Sequence, residues 1–178
     1  SHVAGWDLLL SAYLKNENTQ DYFTENGEKF QNKRAIEGIE ISVSRSLGKF
    51  MLDGSYTFIN SHFKTGGKRY SSSNDLNYII RILLTYRTSN MWNVGLNFSA
   101  HPGLRYTSVK QSINILENVW LPLYDEYNSS KVHAYNSLDL TVNKIFMLKE
   151  KRLLSFLTIT NVFNKVNNNY PVYNVDYS

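Results

Sequence analysis

The sequence predicts an all-β protein, an antiparallel up-and-down sheet of about seven to eight strands. Three observations predict it. From Leu76 to Tyr86 every even position is apolar or aromatic (Leu76, Tyr78, Ile80, Ile82, Leu84, Tyr86). After a polar break at Thr88, Ser89 and Asn90, the pattern resumes through Trp92, Val94, Leu96, Phe98 and Ala100. The positions between, Asn93, Gly95, Asn97, Ser99 and His101, are small or polar. A period of two puts successive side chains on opposite faces, so the two runs form a hairpin with one apolar and one polar face. Second, no stretch has a helical period of useful length. Third, the connections after odd-numbered runs are polar and mostly long, while those after even-numbered runs are short.

Taken in order, the strands fall near residues 5–15, 36–47, 50–63, 76–87, 91–101, 135–146 and 152–163. Trp6, Leu8, Leu10, Ala12 and Leu14 alternate in the first. A polar segment near 16–35 follows, with an Asn26-Gly27 turn signal. Ile39, Ile41 and Val43 alternate with Glu40, Ser42 and Ser44. Leu47-Gly48-Lys49 is a tight turn, and Phe50, Leu52, Gly54, Tyr56 and Phe58 alternate with Asp53, Ser55 and Thr57. Loops near 64–75 and 102–134 flank the central hairpin. The second has room for one helical turn between Ser112 and Leu123. Leu138, Leu140 and Val142 alternate with Asp139, Thr141 and Asn143, and a turn at Lys149-Glu150-Lys151 leads into a seventh strand with less cleanly separated faces.

Composition narrows the function classes. The chain has 178 residues, a net charge of +4, no cysteine and 42% apolar residues. Disulfide and thiolate chemistry are therefore excluded. Mean hydropathy is -0.37, and no run approaches the roughly 18 apolar residues of a spanning helix. Lys and Arg are scattered, the nearest cluster being Lys64, Lys68 and Arg69, so no nucleic-acid surface is expected. No leader precedes the first strand, so the sequence reads as processed or as an internal piece of a longer chain.

Two environments compete for the apolar face: a soluble core or lipid. Strand lengths of about 10–12 residues favour lipid, since about 9–11 cross a bilayer at a tilt and soluble strands average about 5–6. Aromatics gather near the ends of the apolar faces: Trp6, Phe50, Tyr86 and Trp92 at the short-turn end, Tyr56, Phe58 and Tyr78 at the other. Interfacial belts have that distribution. The polar face is mostly Ser, Thr and Asn, with fewer charges than a solvated surface carries. Short turns at one end and long loops at the other match outer-membrane barrels. The expectation is a transmembrane β-barrel segment, part of a larger barrel, because an open edge in hydrocarbon costs several kcal/mol per unpaired group.

Several segments also resemble TonB-dependent outer-membrane receptors. Gly38-Ile39-Glu40 before Ile41-Ser42-Val43, and Gly54-Ser55-Tyr56-Thr57-Phe58 after it, are similar to consecutive strands of that family's barrel. Pro102-Gly103-Leu104-Arg105-Tyr106-Thr107 resembles a loop entry with its proline displaced, and Tyr135-Asn136-Ser137-Leu138-Asp139-Leu140 resembles a later strand. Asn161-Val162-Phe163-Asn164 matches the motif near the penultimate strand. The resemblance covers nearly the whole chain, as the last third of the family's barrel, without its plug, its TonB-contacting segment or its terminal aromatic strand. It implies a bacterial outer-membrane receptor that takes up a bulky nutrient (metal chelate, haem, vitamin or glycan). Its partners would be outer-membrane lipid, the parent chain's plug domain and the TonB energising complex. The alternative is a non-transporting barrel that serves as scaffold, adhesin or binding module.

Candidate contact residues lie at the long-loop rim. His62, His101 and His133 each end a strand there, and three imidazoles at one rim suit haem or a metal. The simpler reading is three solvated side chains, so no metal or cofactor is assigned. Trp120, Tyr124 and Tyr127 in the longest loop suit ligand contact or loop packing. Glu40, Asp53, Arg81 and Asp139 fall on the polar, lumen-facing side, where charges pair with one another or with a plug. Enzymatic function is not expected. The Gly-x-Ser-x-Gly pattern is missing, and Thr65-Gly66-Gly67-Lys68 lacks the spacing of a phosphate loop. Asp125-Glu126 reads as solvating charge in a loop.

Overall fold

The structure is a computed structural model that describes residues 2–3, 5–18, 22–23, 29–30, 33–65, 67–73, 75–117, 119–167, 170–174 and 176–177. Seven long strands follow one another as neighbours in one antiparallel sheet. They are β1 (Trp6–Asn18), β2 (Lys33–Leu47), β3 (Phe50–Thr65), β4 (Asn77–Arg87), β5 (Trp92–His101), β6 (Tyr135–Leu148) and β7 (Lys151–Ile159). A short strand, His2–Val3, folds back on the start of β1, and Lys68–Ser71 folds back on β3. No helix occurs among the described residues. The predicted all-β, antiparallel meander is what the chain forms.

All the short connections lie at one end. Gly48 and Lys49 join β2 to β3, Thr88–Met91 joins β4 to β5, and Lys149 and Glu150 join β6 to β7. Gly48 has φ +60° at the first central position of its two-residue turn. That is the backbone of a primed hairpin turn, and glycine adopts it without steric cost. Lys149 holds the same place in the β6–β7 turn at φ 53°, but with a side chain. There the left-handed conformation costs about 1–2 kcal/mol.

Four expectations need correction. Ser112 to Leu123 is not a helical turn. Val109–Leu116 and Val119–Tyr124 pair as a separate hairpin. Ile113, Ile115, Val119, Leu121 and Leu123 favour extended backbone, and Pro122 would remove a helical hydrogen bond. The 102–134 loop is therefore not irregular throughout, since Arg105–Tyr106 also pairs with Ser130–Lys131. The polar segments 16–35 and 64–75 are shortened. β1 runs on to Asn18, β2 starts at Lys33 and β3 runs to Thr65, because backbone pairing continues after the apolar pattern stops. The Asn26-Gly27 signal lies outside the described residues. Finally, β7 ends at Ile159 rather than near 163: Asn161 and Asn164 take left-handed φ values of 51° and 48°, and Asn164 N–H donates to the Asn161 carbonyl across a turn.

No hydrophobic side chain is buried among the described residues. The buried ones are polar: Ser61, Ser72, Asp75, Thr85, Asn128 and Ser137. A soluble domain of this length buries roughly 70% of its chain's surface around an apolar core. This sheet instead leaves its apolar face uncovered.

Gly38 shows why one motif position is glycine. It pairs with Tyr13, and a Cβ there would stand 2.5 Å from the tyrosine ring and 2.7 Å from the Phe58 carbonyl. Gly38→Val should displace the ring and lower stability by about 1–3 kcal/mol. Lys149→Gly should raise it by about 1 kcal/mol through relief of the turn. Urea unfolding midpoints check both, and the two shifts have opposite signs.

Candidate functional site

The register of the sheet aligns the apolar side chains into a belt. One row crosses the strands as Leu10, Ile41, Tyr56, Ile80 and Ala100, and the next as Leu8, Val43, Gly54, Ile82, Phe98 and Leu138. A third contains Arg45, Leu52, Leu84, Leu96 and Leu140. Leu10 is 71% exposed, Ile41 46% and Tyr56 43%, while Ile80 and Ala100 in the same row are half-buried, so the row is open at mid-strand and none of it is buried. Within the strands the belt covers Trp6–Leu14, Ile39–Leu47, Phe50–Phe58, Tyr78–Tyr86 and Trp92–Ala100, nine residues each.

Both edges of the belt are staggered in the same direction. At the short-turn edge, Trp6 lies next to Asp7, which pairs with Ser44, so Trp6 belongs to the Arg45–Leu96 row. Trp92 lies two rows, or four residues, nearer the turns. At the long-loop edge, Leu14 lies four residues beyond the row in which Ala100 closes β5. Four residues at about 3.4 Å, over four strand spacings of about 4.8 Å, give a slope of about 35°. The strands therefore cross the belt obliquely, and nine residues measure about 22 Å between its edges.

The opposite face carries every residue expected in the lumen. Asp7, Ser44, Asp53, Leu83, Asn97 and Asp139 form one row, and Leu9, Ser42, Ser55, Arg81, Ser99 and Ser137 the next. Glu40 lies one row further, opposite Ser11 and Thr57. A hollow of about 660 Å³ is lined by residues of these rows from β1 to β5, including Asp53, Arg81 and Asn97, together with Leu8, Val43 and Gly54 of the neighbouring row. A single sheet makes such a hollow by curving, so the polar face is concave. Asp139 is committed to the chain itself: it accepts from Ser137 Oγ at 2.8 Å and from Asn161 N–H at 2.8 Å. Asn161 in turn bonds both ways with Lys165. The Asn161–Asn164 motif is thus a turn fastened to β6.

The three rim histidines do not converge. His62 has the parity of Tyr56 and Phe58, on the apolar face, whereas His101 has the parity of Asn97 and Ser99, on the polar one. Strand geometry points them to opposite sides. His62 Nδ1 lies 3.0 Å from Arg69 Nη2, a donor, so the nitrogen accepts. His101 Nδ1 donates to the Pro102 carbonyl at 2.7 Å, and its ring stacks on Tyr135 at 4.8 Å. His133 is exposed. No group of His, Asp or Glu suited to a metal occurs among the described residues.

Loop aromatics divide into two places. Tyr127 packs edge-on against Phe63 at 5.3 Å and Tyr70 at 6.1 Å. Trp120 and Tyr124 lie on the separate hairpin, Tyr124 exposed.

Beside the Tyr127 cluster lies a polar knot that sequence reasoning missed. Buried Asp75 accepts from Ser61 N–H at 3.2 Å, and its other oxygen lies 3.3 Å from Arg105 Nε. Arg34 Nε donates to Ser61 Oγ, Asn128 Nδ2 to the Ser71 carbonyl, and Asn128 N–H to Thr107 Oγ1. Lys131 Nζ donates to Asn77 Oδ1 at 2.9 Å. Burial holds the Lys131 ammonium below its usual pKa, Arg105 adds to the depression, and Asp75 opposes it. Gly103 permits the approach: a Cβ there would stand 1.7 Å from the Val132 carbonyl oxygen. A single Asp among Ser and Asn gives no sequence signal for such a knot.

No known family matches the chain, and no curated protein matches it. Asp75→Ala should destabilise the rim by about 2–4 kcal/mol, since it orphans a partly buried guanidinium and a buried amide. Amide exchange should accelerate in 70–77, 103–107 and 128–131 and stay slow at 80–84 and 94–98. Equal acceleration in both sets would refute a local role.

Proposed function

We propose that the chain is a membrane-spanning part of an outer-membrane β-barrel, with its apolar belt toward lipid and its concave polar face toward the lumen. The observation that carries this is the staggered belt. Its slope of about 35° and height of about 22 Å agree with the 35–45° strand tilt and roughly 25 Å apolar band of such barrels. A soluble sandwich covers its apolar face with a second sheet, and here no hydrophobic side chain among the described residues is buried. The sheet also ends at β7, which has no outer neighbour among the described residues. In hydrocarbon such an edge must be paired, so we place this sheet within a larger closed barrel.

The motif resemblance supports a narrower reading. On it, the barrel belongs to a TonB-dependent receptor that takes up a bulky nutrient, and the hollow beside Asp53, Arg81 and Asn97 faces the plug or the cargo path. Ser42, Ser44, Ser55 and Asn97 line the hollow beside the charged Asp7, Asp53 and Arg81, among Leu8, Leu9, Val43 and Leu83.

A nitroxide at Val94 should collide with dissolved oxygen and be shielded from a water-soluble relaxant, while one at Asn97 should show the reverse. Exchanged accessibilities would put the polar face outward and end the proposal. Transport is tested in cells by uptake of a chelate, haem, cobalamin and oligosaccharide panel with and without a protonophore. Uptake indifferent to the protonophore would leave only the scaffold reading.

A further inference from the structure

At the short-turn edge of the belt, two cations stand on a face that is otherwise apolar. Arg45 lies over the Trp6 ring, 4.9 Å from its centroid. Lys144 Nζ lies 4.6 Å from the Trp92 ring and 4.7 Å from that of Phe146. These distances fall within the roughly 6 Å reach of cation–π attraction. Trp92 and Lys144 are direct cross-strand partners, as the register also makes Trp6 and Arg45. Phe50 and Tyr86 pack between the two pairs with ring centroids 4.7 Å apart and planes tilted by 39°.

Three features set these cations apart. No Asp or Glu occupies the apolar face within the belt of β1 to β6, so neither charge is neutralised on its own face. The two pairs are four strands and four residues apart, which is the offset of the belt edge itself. They therefore lie at one level, about 23 Å apart. The long-loop edge differs: there the belt ends at Glu37, whose carboxylate accepts from Asn60 Nδ2.

We propose that Arg45 with Trp6, and Lys144 with Trp92, form two binding sites for the phosphate of anionic phospholipid in the leaflet on the short-turn side. Each aromatic ring lies at the depth of the glycerol backbone and holds the cation on the headgroup side. The cation supplies the charge that the apolar face leaves unmatched. The acyl chains of the same lipid lie along the belt, Leu8 and Val43 at one site and Leu96 and Val142 at the other. This inference rests on the membrane-spanning reading, and it adds a ligand, two places for it and a leaflet.

The test uses the full-length protein in phosphatidylcholine vesicles with a trace of spin-labelled lipid. The restricted fraction of spin-labelled phosphatidylglycerol is compared with that of spin-labelled phosphatidylcholine. Wild type should favour phosphatidylglycerol by about fivefold per cation at low salt, with the preference falling as salt rises. The double variant R45Q/K144Q should lose it, while a control on the long-loop rim, Lys68→Gln, should keep it. Quenching of tryptophan fluorescence by brominated acyl chains is read on every sample. Quenching without a preference in wild type, or an equal preference in the inserted double variant, overturns the proposal. Absence of quenching in wild type overturns the membrane reading beneath it. If the double variant fails to insert, the wild-type salt series decides: a preference unmoved by salt overturns the cation sites.

Discussion

The structure depends on an unbroken antiparallel register from Asp7 to Ile159. Every pairing in the main sheet proceeds residue by residue, and shifts occur only in the separate hairpin at 109–124. Because the side-chain period is two, one slipped residue would exchange the faces of every strand beyond it. The short connections at Gly48-Lys49, Thr88–Met91 and Lys149-Glu150 hold that register, and the second of them keeps Ile82 beside Phe98 and Arg81 beside Ser99. Belt, hollow and aromatic rows all follow from this parity.

The two ends of the sheet are held by different chemistry. At the short-turn end, two-residue hairpins and paired aromatics suffice. At the long-loop end, segments distant in sequence meet around Asp75, Arg105, Asn128 and Ser61. Hydrogen bonds to charged groups contribute about 1.5–3 kcal/mol each where they form, and a carboxylate removed from water needs such partners. The knot, with the Phe63–Tyr70–Tyr127 cluster, gives the rim an interior that the sheet lacks. Trp120 and Tyr124 project on a hairpin outside it. A ligand arriving from the loop side would meet that hairpin before the polar concavity.

An uncovered apolar face is a liability in water and an asset in lipid. On the membrane-spanning reading we propose, the belt's nine-residue width over β1 to β5 matters more than its apolar content, because a bilayer imposes one thickness on every strand.

Alternation by itself determined the strands, their faces and the short-turn end, because a period of two is local and repeats within each strand. It also placed Glu40, Asp53, Arg81 and Asp139 on one face, since parity needs no knowledge of neighbours. It misread Ser112–Leu123, although Ile113, Ile115, Val119, Leu121 and Leu123 alternate there, and it ended β1 and β3 too early and began β2 too late, where backbone pairing outlasts the apolar pattern. The same parity sets His62 on the apolar face and His101 on the polar one; only the tertiary structure decided their partners, Arg69 for His62 and the Pro102 carbonyl for His101. It also decided that Asp139 fastens the Asn161 turn and that Asp75 joins Ser61 to Arg105. Each joins residues far apart in the chain, and distances of that kind are set by pairing across strands rather than by pattern along one.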